Sequence, residues 1–143
     1  MQTVTLGKTG ITVNKNGFGA LPIQRISKDD AVRLVRKAYD AGVTYFDTAR
    51  WYTDSEEKLG EAFDGIREHV FIATKTGADN AEAFWKDLAT SLHNLRTDYI
   101  DIYQFHNPPV CPKPGDGSGL YEAMLEAKEQ GKIRHIGITN HRL

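Results

Sequence analysis

The chain has 143 residues, 40% of them hydrophobic and 26% charged, which is the balance expected of one soluble globular domain. Its 18 basic and 19 acidic side chains nearly cancel, so we expect neither nucleic acid nor a membrane surface as a partner. The single cysteine, Cys111, excludes an intrachain disulfide and a cysteine-rich metal site. Without an apolar leader or a membrane-length apolar run, the expected location is the cytoplasm.

The first predicted element is a short hairpin before the main domain. Thr3–Leu6 and Ile11–Val13 are strand-like, and the glycines of Gly7–Gly10 mark the turn between them. Gly17–Leu21 then predicts a first core strand that Pro22 ends. Its glycines allow a ligand or a neighbouring backbone to approach closely.

Four helices are predicted between the later strands. Ser27 and Asp30 have the spacing of a capping box, and Gly42 supplies a C-terminal stop for the first helix. The second helix is predicted to begin near Asp54 and the third near Asp79. The fourth has apolar residues at helical spacing from Leu120 to Ala127 and ends at Gly131.

Apolar strand-like runs end on polar residues at regular intervals along the chain. Successive ends are separated by 28, 31 and 33 residues, close to the length of one strand–helix repeat. Parallel strands joined by helices place all these ends on one face of the sheet, where such folds build active sites. The runs are Val43–Phe46 into Asp47, Val70–Thr74 into Lys75, Ile100–Phe105 into His106, and Ile136–Ile138 into Thr139 and Asn140.

The alternation of strands and helices predicts an α/β fold with a parallel sheet and right-handed crossovers. An open Rossmann-type sheet is the alternative, but Gly17 and Gly19 are followed by Ala20-Leu21-Pro22 rather than by a complete phosphate-binding glycine pattern. A (β/α)8 barrel is therefore favoured. Because such a barrel takes roughly 250 residues, residues 1–143 are expected to form the N-terminal part of one barrel domain, the hairpin and about strands 1–5.

A partial barrel leaves its first and last strands unpaired. We therefore expect a fragment or truncated product of a longer protein, with self-association through the exposed barrel edges. A half-barrel that completes itself by association is the alternative.

The residues around Asp47 resemble a known family. The string F-D-T-A-x-x-Y-x-x-S-E-x-x-L-G begins at Phe46, and strands ending in Lys75 and His106 follow before Gly137-Ile138-Thr139-Asn140. This order and spacing resemble the aldo-keto reductases over essentially the whole chain. The resemblance implies a TIM barrel of the aldo-keto reductase type that reduces aldehydes or ketones.

The resemblance also implies particular site residues. The catalytic tetrad falls on Asp47, Tyr52, Lys75 and His106, and Thr139 replaces the serine of the Ser-Asn pair that binds the nicotinamide carboxamide. NADP(H) is the implied cofactor, with NAD(H) as the alternative, and a small carbonyl compound is the implied substrate. The implied cofactor-binding residues are Gly19, Ala20, Asp47, Thr139 and Asn140, and no metal is implied.

The chemistry follows from the residue types. Reducing a carbonyl by hydride needs an acid to protonate the oxygen, and an ordinary phenol is a poor acid at neutral pH. A lysine ammonium close to the phenol favours the phenolate, and a carboxylate beside the lysine favours the ammonium. This reasoning assigns Tyr52 as the acid, Lys75 as its activator and Asp47 as the partner of Lys75. His106 would donate a hydrogen bond that orients the carbonyl.

Some features depart from the common pattern. His141 stands where many members have phenylalanine, and the loop Asn107–Gly117 contains cysteine and proline. Both features look more like the branch with C-terminal iron–sulfur cysteines, which are absent from this chain. Trp51 is a candidate wall of the substrate pocket, whereas Trp85 is expected in the core.

Other functions remain open at this point. The fold could carry a non-catalytic binding or regulatory module, or the chain could be an inactive truncated fragment. A Schiff-base enzyme built on Lys75 is a third reading, which borohydride trapping would test.

Overall fold

The computed structural model describes residues 1–142, which form a hairpin followed by a parallel sheet with helices on its outer face. Strands β1 (Thr3–Thr5) and β2 (Thr12–Asn14) pair antiparallel, as the sequence predicts. The sheet contains five parallel strands whose spatial order equals their order in the chain. They are β3 (Phe18–Gly19), β4 (Tyr45–Asp47), β5 (Phe71–Thr76), β6 (Ile100–His106) and β7 (Ile133–Thr139).

The four predicted helices are present. They are α1 (Lys28–Asp40), α2 (Ser55–Ala62), α3 (Ala81–Asn94) and α4 (Leu120–Glu129), and two short 3-10 helices span Pro22–Arg25 and Arg67–His69.

Side-chain caps begin two of these helices, α1 and α3, and a glycine follows the end of α1. The Ser27 hydroxyl accepts a hydrogen bond from the Asp30 N–H at 3.1 Å, which satisfies a backbone donor in the first turn of α1. Gly42, at a φ of 95°, follows the last turn of the same helix. At α3, Asn80 accepts from the Ala83 N–H at 2.9 Å. Short polar residues therefore begin α1 and α3 where the sequence predicts.

The parallel register brings the ends of neighbouring strands side by side. Gly19 lies opposite Asp47, and His106 lies opposite Thr139. Because side chains alternate along a strand, residues paired across the sheet point to the same face. Asp47, Lys75 and His106 therefore project from the carboxyl-terminal ends of three adjacent strands.

The hydrophobic core lies between the sheet and the helices. The rings of Phe46 on β4 and Phe63 after α2 meet edge to face at 4.7 Å, and both side chains are buried. Gly60 lets α2 approach α3 closely, because a Cβ there would lie 2.2 Å from the Asn94 carbonyl oxygen. The glycine of the Leu59-Gly60 pair in the motif thus allows the two helices to pack closely.

The edge strands differ in how well they were predicted. The sequence predicts a first core strand over Gly17–Leu21, but β3 has only two residues because Leu21 already has helical φ and ψ and begins a 3-10 turn. At the other edge, Ile136 and Ile138 of β7 are 37% and 47% exposed on the outer face. Self-association through these edges stays a prediction.

In the part of the chain that the structure describes, no helix is long and apolar enough to span a membrane.

Candidate active site

An ion pair joins the ends of β4 and β5. The Lys75 Nζ atom lies 2.6 Å from Asp47 Oδ1 and also donates to the Thr48 carbonyl oxygen at 2.6 Å. The lysine side chain is 6% exposed, whereas that of Asp47 is 32% exposed toward the open face. The two oxygen acceptors hold the ammonium in one place, as the sequence predicts for this pair.

Tyr52 lies in the turn between β4 and α2. Its N–H donates to the Ala49 carbonyl at 3.1 Å, and its own carbonyl accepts from Ser55 at 2.9 Å. The Lys75 Nζ atom lies 5.1 Å from the centroid of the Tyr52 ring. Within residues 1–142 no hydrogen bond joins the Tyr52 hydroxyl to Lys75, so the ammonium lies against the ring rather than bonding the phenol directly.

A second tyrosine lies close to the same ion pair. Burial, and then the charge of Asp47, raise the pKa of Tyr45 to about 12. Tyr45 is therefore a poor proton donor at neutral pH.

His106 completes the group from the end of β6. Its ring lies 5.8 Å from that of Tyr52 at an angle of 85°, and 4.8 Å from that of Trp51 at 31°. Its Nδ1 atom is buried without a hydrogen-bond partner among the described residues, so Nε2 is the nitrogen through which His106 can reach a ligand. The four predicted catalytic side chains therefore surround one region.

The environment of His106 favours its neutral form. Burial is the largest cause lowering the pKa of His106, and the charges of Lys75 and His141 lower it further, against an opposing effect of Asp47. A neutral imidazole can donate one hydrogen bond to a carbonyl without adding charge to the site.

This electrostatic coupling predicts how His106 titrates. In the variant Lys75→Met, we expect the pKa of His106 to rise toward its ordinary value without reaching it, because burial remains. Proton NMR of the imidazole checks this. Lys58→Met is the control, since Lys58 is another buried ammonium but is not among the causes of the shift. An unchanged pKa in Lys75→Met would show that the two side chains are not coupled.

The same shift has a consequence for stability. Because the folded-state pKa of His106 is below its unfolded value of about 6.5, the folded protein binds fewer protons near that pH. The contribution of neutral His106 to stability is complete above pH 6.5 and decreases as the pH falls through the folded-state pKa.

Trp51 forms a wall of an open cavity beside His106. The indole is 60% exposed and lies over Gly77, where a Cβ atom would be 1.8 Å from Trp51 Cζ2. The cavity has a volume of about 250 Å³, and the loop that follows β6 supplies part of its lining. Its lining includes His106, Asn107, Pro108, Pro109, Val110 and Pro112.

The contact between Trp51 and Gly77 predicts the result of one substitution. Gly77→Ala is expected to displace the indole from the His106 ring, because the added methyl group and Cζ2 cannot occupy the same space. The indole is exposed, so it can rotate into solvent and the melting temperature should change little. Loss of the indole ring-current shift on the His106 protons measures the displacement. Gly19→Ala is the control, since a Cβ there meets no atom within 4 Å.

A buried ion pair that the sequence analysis missed holds the Tyr52 turn in place. The fully buried carboxylate of Glu56 pairs with the Arg50 guanidinium. Glu56 Oε1 also accepts from the hydroxyls of Thr74 and Ser91, both at 2.7 Å. One carboxylate therefore connects the turn, β5 and α3. One feature of the sequence could have predicted the burial of Glu56. It is spaced from Leu59, Gly60 and Phe63 so that all four residues lie on one apolar face of a helix.

The residues predicted to bind the cofactor differ in their exposure and in the hydrogen bonds that they already make. Gly19 is exposed at the open end of β3, beside Asp47. Ala20 is fully buried, and its N–H and carbonyl bond Asp47 and Ser55, so this geometry offers a cofactor no free polar group there. Thr139 is half-buried opposite His106, whereas the Asn140 amide bonds the backbone of Arg142. Direct contacts of these residues with a cofactor stay predictions.

The fold and the site define a class of protein. Reactive side chains at the carboxyl-terminal ends of consecutive parallel strands are typical of barrel enzymes, which build their sites from these ends and the loops that follow them. Among residues 1–142, no cluster of three or more histidine, cysteine or acidic side chains is arranged to hold a metal ion.

Comparisons with known proteins give the family. The family model described as "Aldo/keto reductase family" matches residues 15–143. L-galactose dehydrogenase from Arabidopsis thaliana is 36% identical over 149 aligned positions, which cover 94% of this chain and 47% of that protein. The chain belongs to the aldo/keto reductase family and spans about half the length of the curated relatives it matches.

Solved structures agree with this assignment. An aldo-keto reductase from Bacillus halodurans in its holo form superimposes with a TM-score of 0.89 at 30% identity, over 99% of this chain and 51% of that one. One from Klebsiella pneumoniae in complex with NADPH gives a TM-score of 0.81 at 30% identity, over 92% and 47%. The parallel sheet described above is therefore part of a TIM barrel of the aldo-keto reductase type.

Proposed function

We propose that the natural polypeptide carrying this sequence reduces an aldehyde or ketone with NADPH, and that Tyr52 protonates the substrate oxygen. The observation that supports this most is the placement of the Lys75 ammonium, which Asp47 holds at 2.6 Å and which lies 5.1 Å from the Tyr52 ring. A cation held against this ring can stabilise the negative charge that develops on the phenol oxygen as its proton is transferred.

Each side chain has a separate role in this proposal. Tyr52 donates its hydroxyl proton to the carbonyl oxygen as negative charge develops there. Lys75 stabilises the resulting phenolate, and Asp47 keeps Lys75 oriented. His106 donates a hydrogen bond from Nε2 to the same oxygen and so orients the carbonyl. Trp51 covers one side of the histidine and shields the site from water.

The residues present suit a nicotinamide. When bound, the reduced cofactor supplies the hydride that these side chains do not have. The Thr139 hydroxyl lies at the end of β7 opposite His106, where it can donate to the carboxamide. Gly19 leaves open space at the end of β3, beside Asp47. NADPH is proposed rather than NADH because one similar structure, from Klebsiella pneumoniae, is a complex with NADPH.

The Schiff-base alternative has less support. A lysine that attacks a carbonyl needs a free lone pair on its nitrogen. Lys75 instead donates to two oxygen atoms, at 2.6 Å each, an arrangement suited to an ammonium. A non-catalytic module would also not explain why four side chains suited to carbonyl reduction lie together, namely Asp47, Lys75, Tyr52 and His106.

The proposal is tested with the purified natural polypeptide. NADPH oxidation is followed by absorbance with a panel of small aldehydes and ketones, and NADPH binding is measured by fluorescence titration. Borohydride is added with substrate in a parallel reaction without cofactor. We expect NADPH-dependent reduction and no substrate trapped on Lys75. Trapping on Lys75, or the absence of both NADPH binding and reduction, would overturn the proposal.

A further inference from the structure

The residue after His106 has a backbone conformation that is uncommon for a side chain. Asn107 has a φ of 47°, in the left-handed region that asparagine tolerates better than most non-glycine residues. It follows directly on the last residue of β6, so this conformation sets the direction in which the chain leaves His106.

Asn107 also connects the ends of two strands. Its N–H donates to Thr139 Oγ1 at 3.1 Å, which joins the end of β6 to the end of β7. Its side-chain Oδ1 atom accepts from the His141 N–H at 3.1 Å. Asn107 therefore holds both the hydroxyl of Thr139 and the backbone N–H of His141.

The bond from Asn107 determines which hydrogen bonds the Thr139 hydroxyl can still form with a ligand. A hydroxyl has one proton to donate and two lone pairs. The Asn107 N–H occupies one lone pair, and the acceptor available to the proton among residues 1–142 is the Phe105 carbonyl at 3.5 Å, the outer limit of a hydrogen bond. The proton is thus free to turn toward a better acceptor.

We propose that Asn107 is a positioning residue that presents the Thr139 hydroxyl as a hydrogen-bond donor to the carboxamide oxygen of nicotinamide and fixes this donor relative to His106. The inference rests on the proposed function. Its consequence is that Asn107 couples the placement of the cofactor ring to that of the substrate carbonyl, although it need not touch the reacting atoms.

Three substitutions at Asn107 separate its backbone role from its side-chain role. Asn107→Asp keeps an acceptor oxygen and tolerance of the left-handed region. Asn107→Gly keeps the backbone conformation but loses the bond to His141. Asn107→Ala loses the side-chain bond and disfavours the conformation that aims the N–H at Thr139.

The measurement is NADPH affinity by fluorescence titration on the natural polypeptide. For Asn107→Ala, we expect the Kd to increase about tenfold, the effect of losing one well-aligned hydrogen bond. Asn107→Gly should weaken binding about two- to threefold, and Asn107→Asp should stay within about twofold of wild type.

A nucleotide without nicotinamide distinguishes positioning from general destabilisation. The affinity for 2′-phospho-ADP-ribose should be the same in wild type and Asn107→Ala, because that fragment has no carboxamide. Arg96→Ala is the matched control, since Arg96 has a similar φ of 53° just after α3, outside this site, and its replacement should not change NADPH affinity.

Three outcomes would contradict the inference. An equal loss of affinity for NADPH and for the fragment would show a structural role only. A wild type that binds NADPH and reduces carbonyls, with Asn107→Ala binding NADPH equally well, would overturn this inference alone. A wild type that binds no NADPH would overturn it together with the proposed function.

Discussion

Replacing Tyr52 by phenylalanine is expected to lower the rate of carbonyl reduction by about 10²- to 10⁴-fold, the usual contribution of a positioned general acid. The substitution removes the hydroxyl but keeps the ring against which Lys75 lies. NADPH affinity should therefore stay close to the wild-type value. Steady-state kinetics and fluorescence titration on the natural polypeptide measure the two quantities separately.

Tyr45→Phe is the matched control for this prediction. Tyr45 is also close to Asp47, yet its pKa is raised to about 12, so losing its hydroxyl should leave the rate of reduction nearly unchanged. If Tyr52→Phe retained most of the wild-type rate, Tyr52 would not be the acid. If Tyr45→Phe caused the larger loss, the acid would be reassigned to Tyr45.

Replacing Arg50 by methionine is expected to lower the free energy of unfolding by about 3–5 kcal/mol, the typical cost of breaking a buried ion pair. The substitution leaves the fully buried carboxylate of Glu56 without its cation. Reduction should also slow, because Arg50 holds the turn that carries Tyr52. Urea denaturation and steady-state kinetics give the two effects.

A second substitution tests whether the cost comes from the unpaired charge. In Arg50→Met with Glu56→Gln, the amide is neutral and its oxygen can still accept from the hydroxyls of Thr74 and Ser91, so we expect a partial return of stability. Arg33→Met is the control, since Arg33 forms an exposed pair with Asp30, and its loss should change stability little. No recovery in the double variant would mean that the guanidinium stabilises the turn by packing alone.

Much of the fold was predictable because its signals are local. The helix starts at Ser27 and Asn80 follow from short side chains that accept backbone hydrogen bonds, and the stop at Gly42 follows from a positive φ. The parallel strand order followed from the alternation of strand and helix patterns. The first core strand was predicted too long, since the 3-10 turn that begins at Leu21 leaves no pattern in hydrophobic spacing.

The sequence by itself determined the fold class through its alternation of strands and helices, and the family through the order and spacing of its motif. It also predicted which side chains lie near one another, because strand ends in a parallel sheet meet on one face whatever the packing details are. Only the tertiary structure decided which partners these residues have. The pairing of Arg50 with Glu56, the fit of the Trp51 indole over Gly77 and the link from Asn107 to Thr139 each join residues on different elements. Such contacts depend on distances set by the packing of helices on the sheet, and no periodicity or motif along one segment contains those distances.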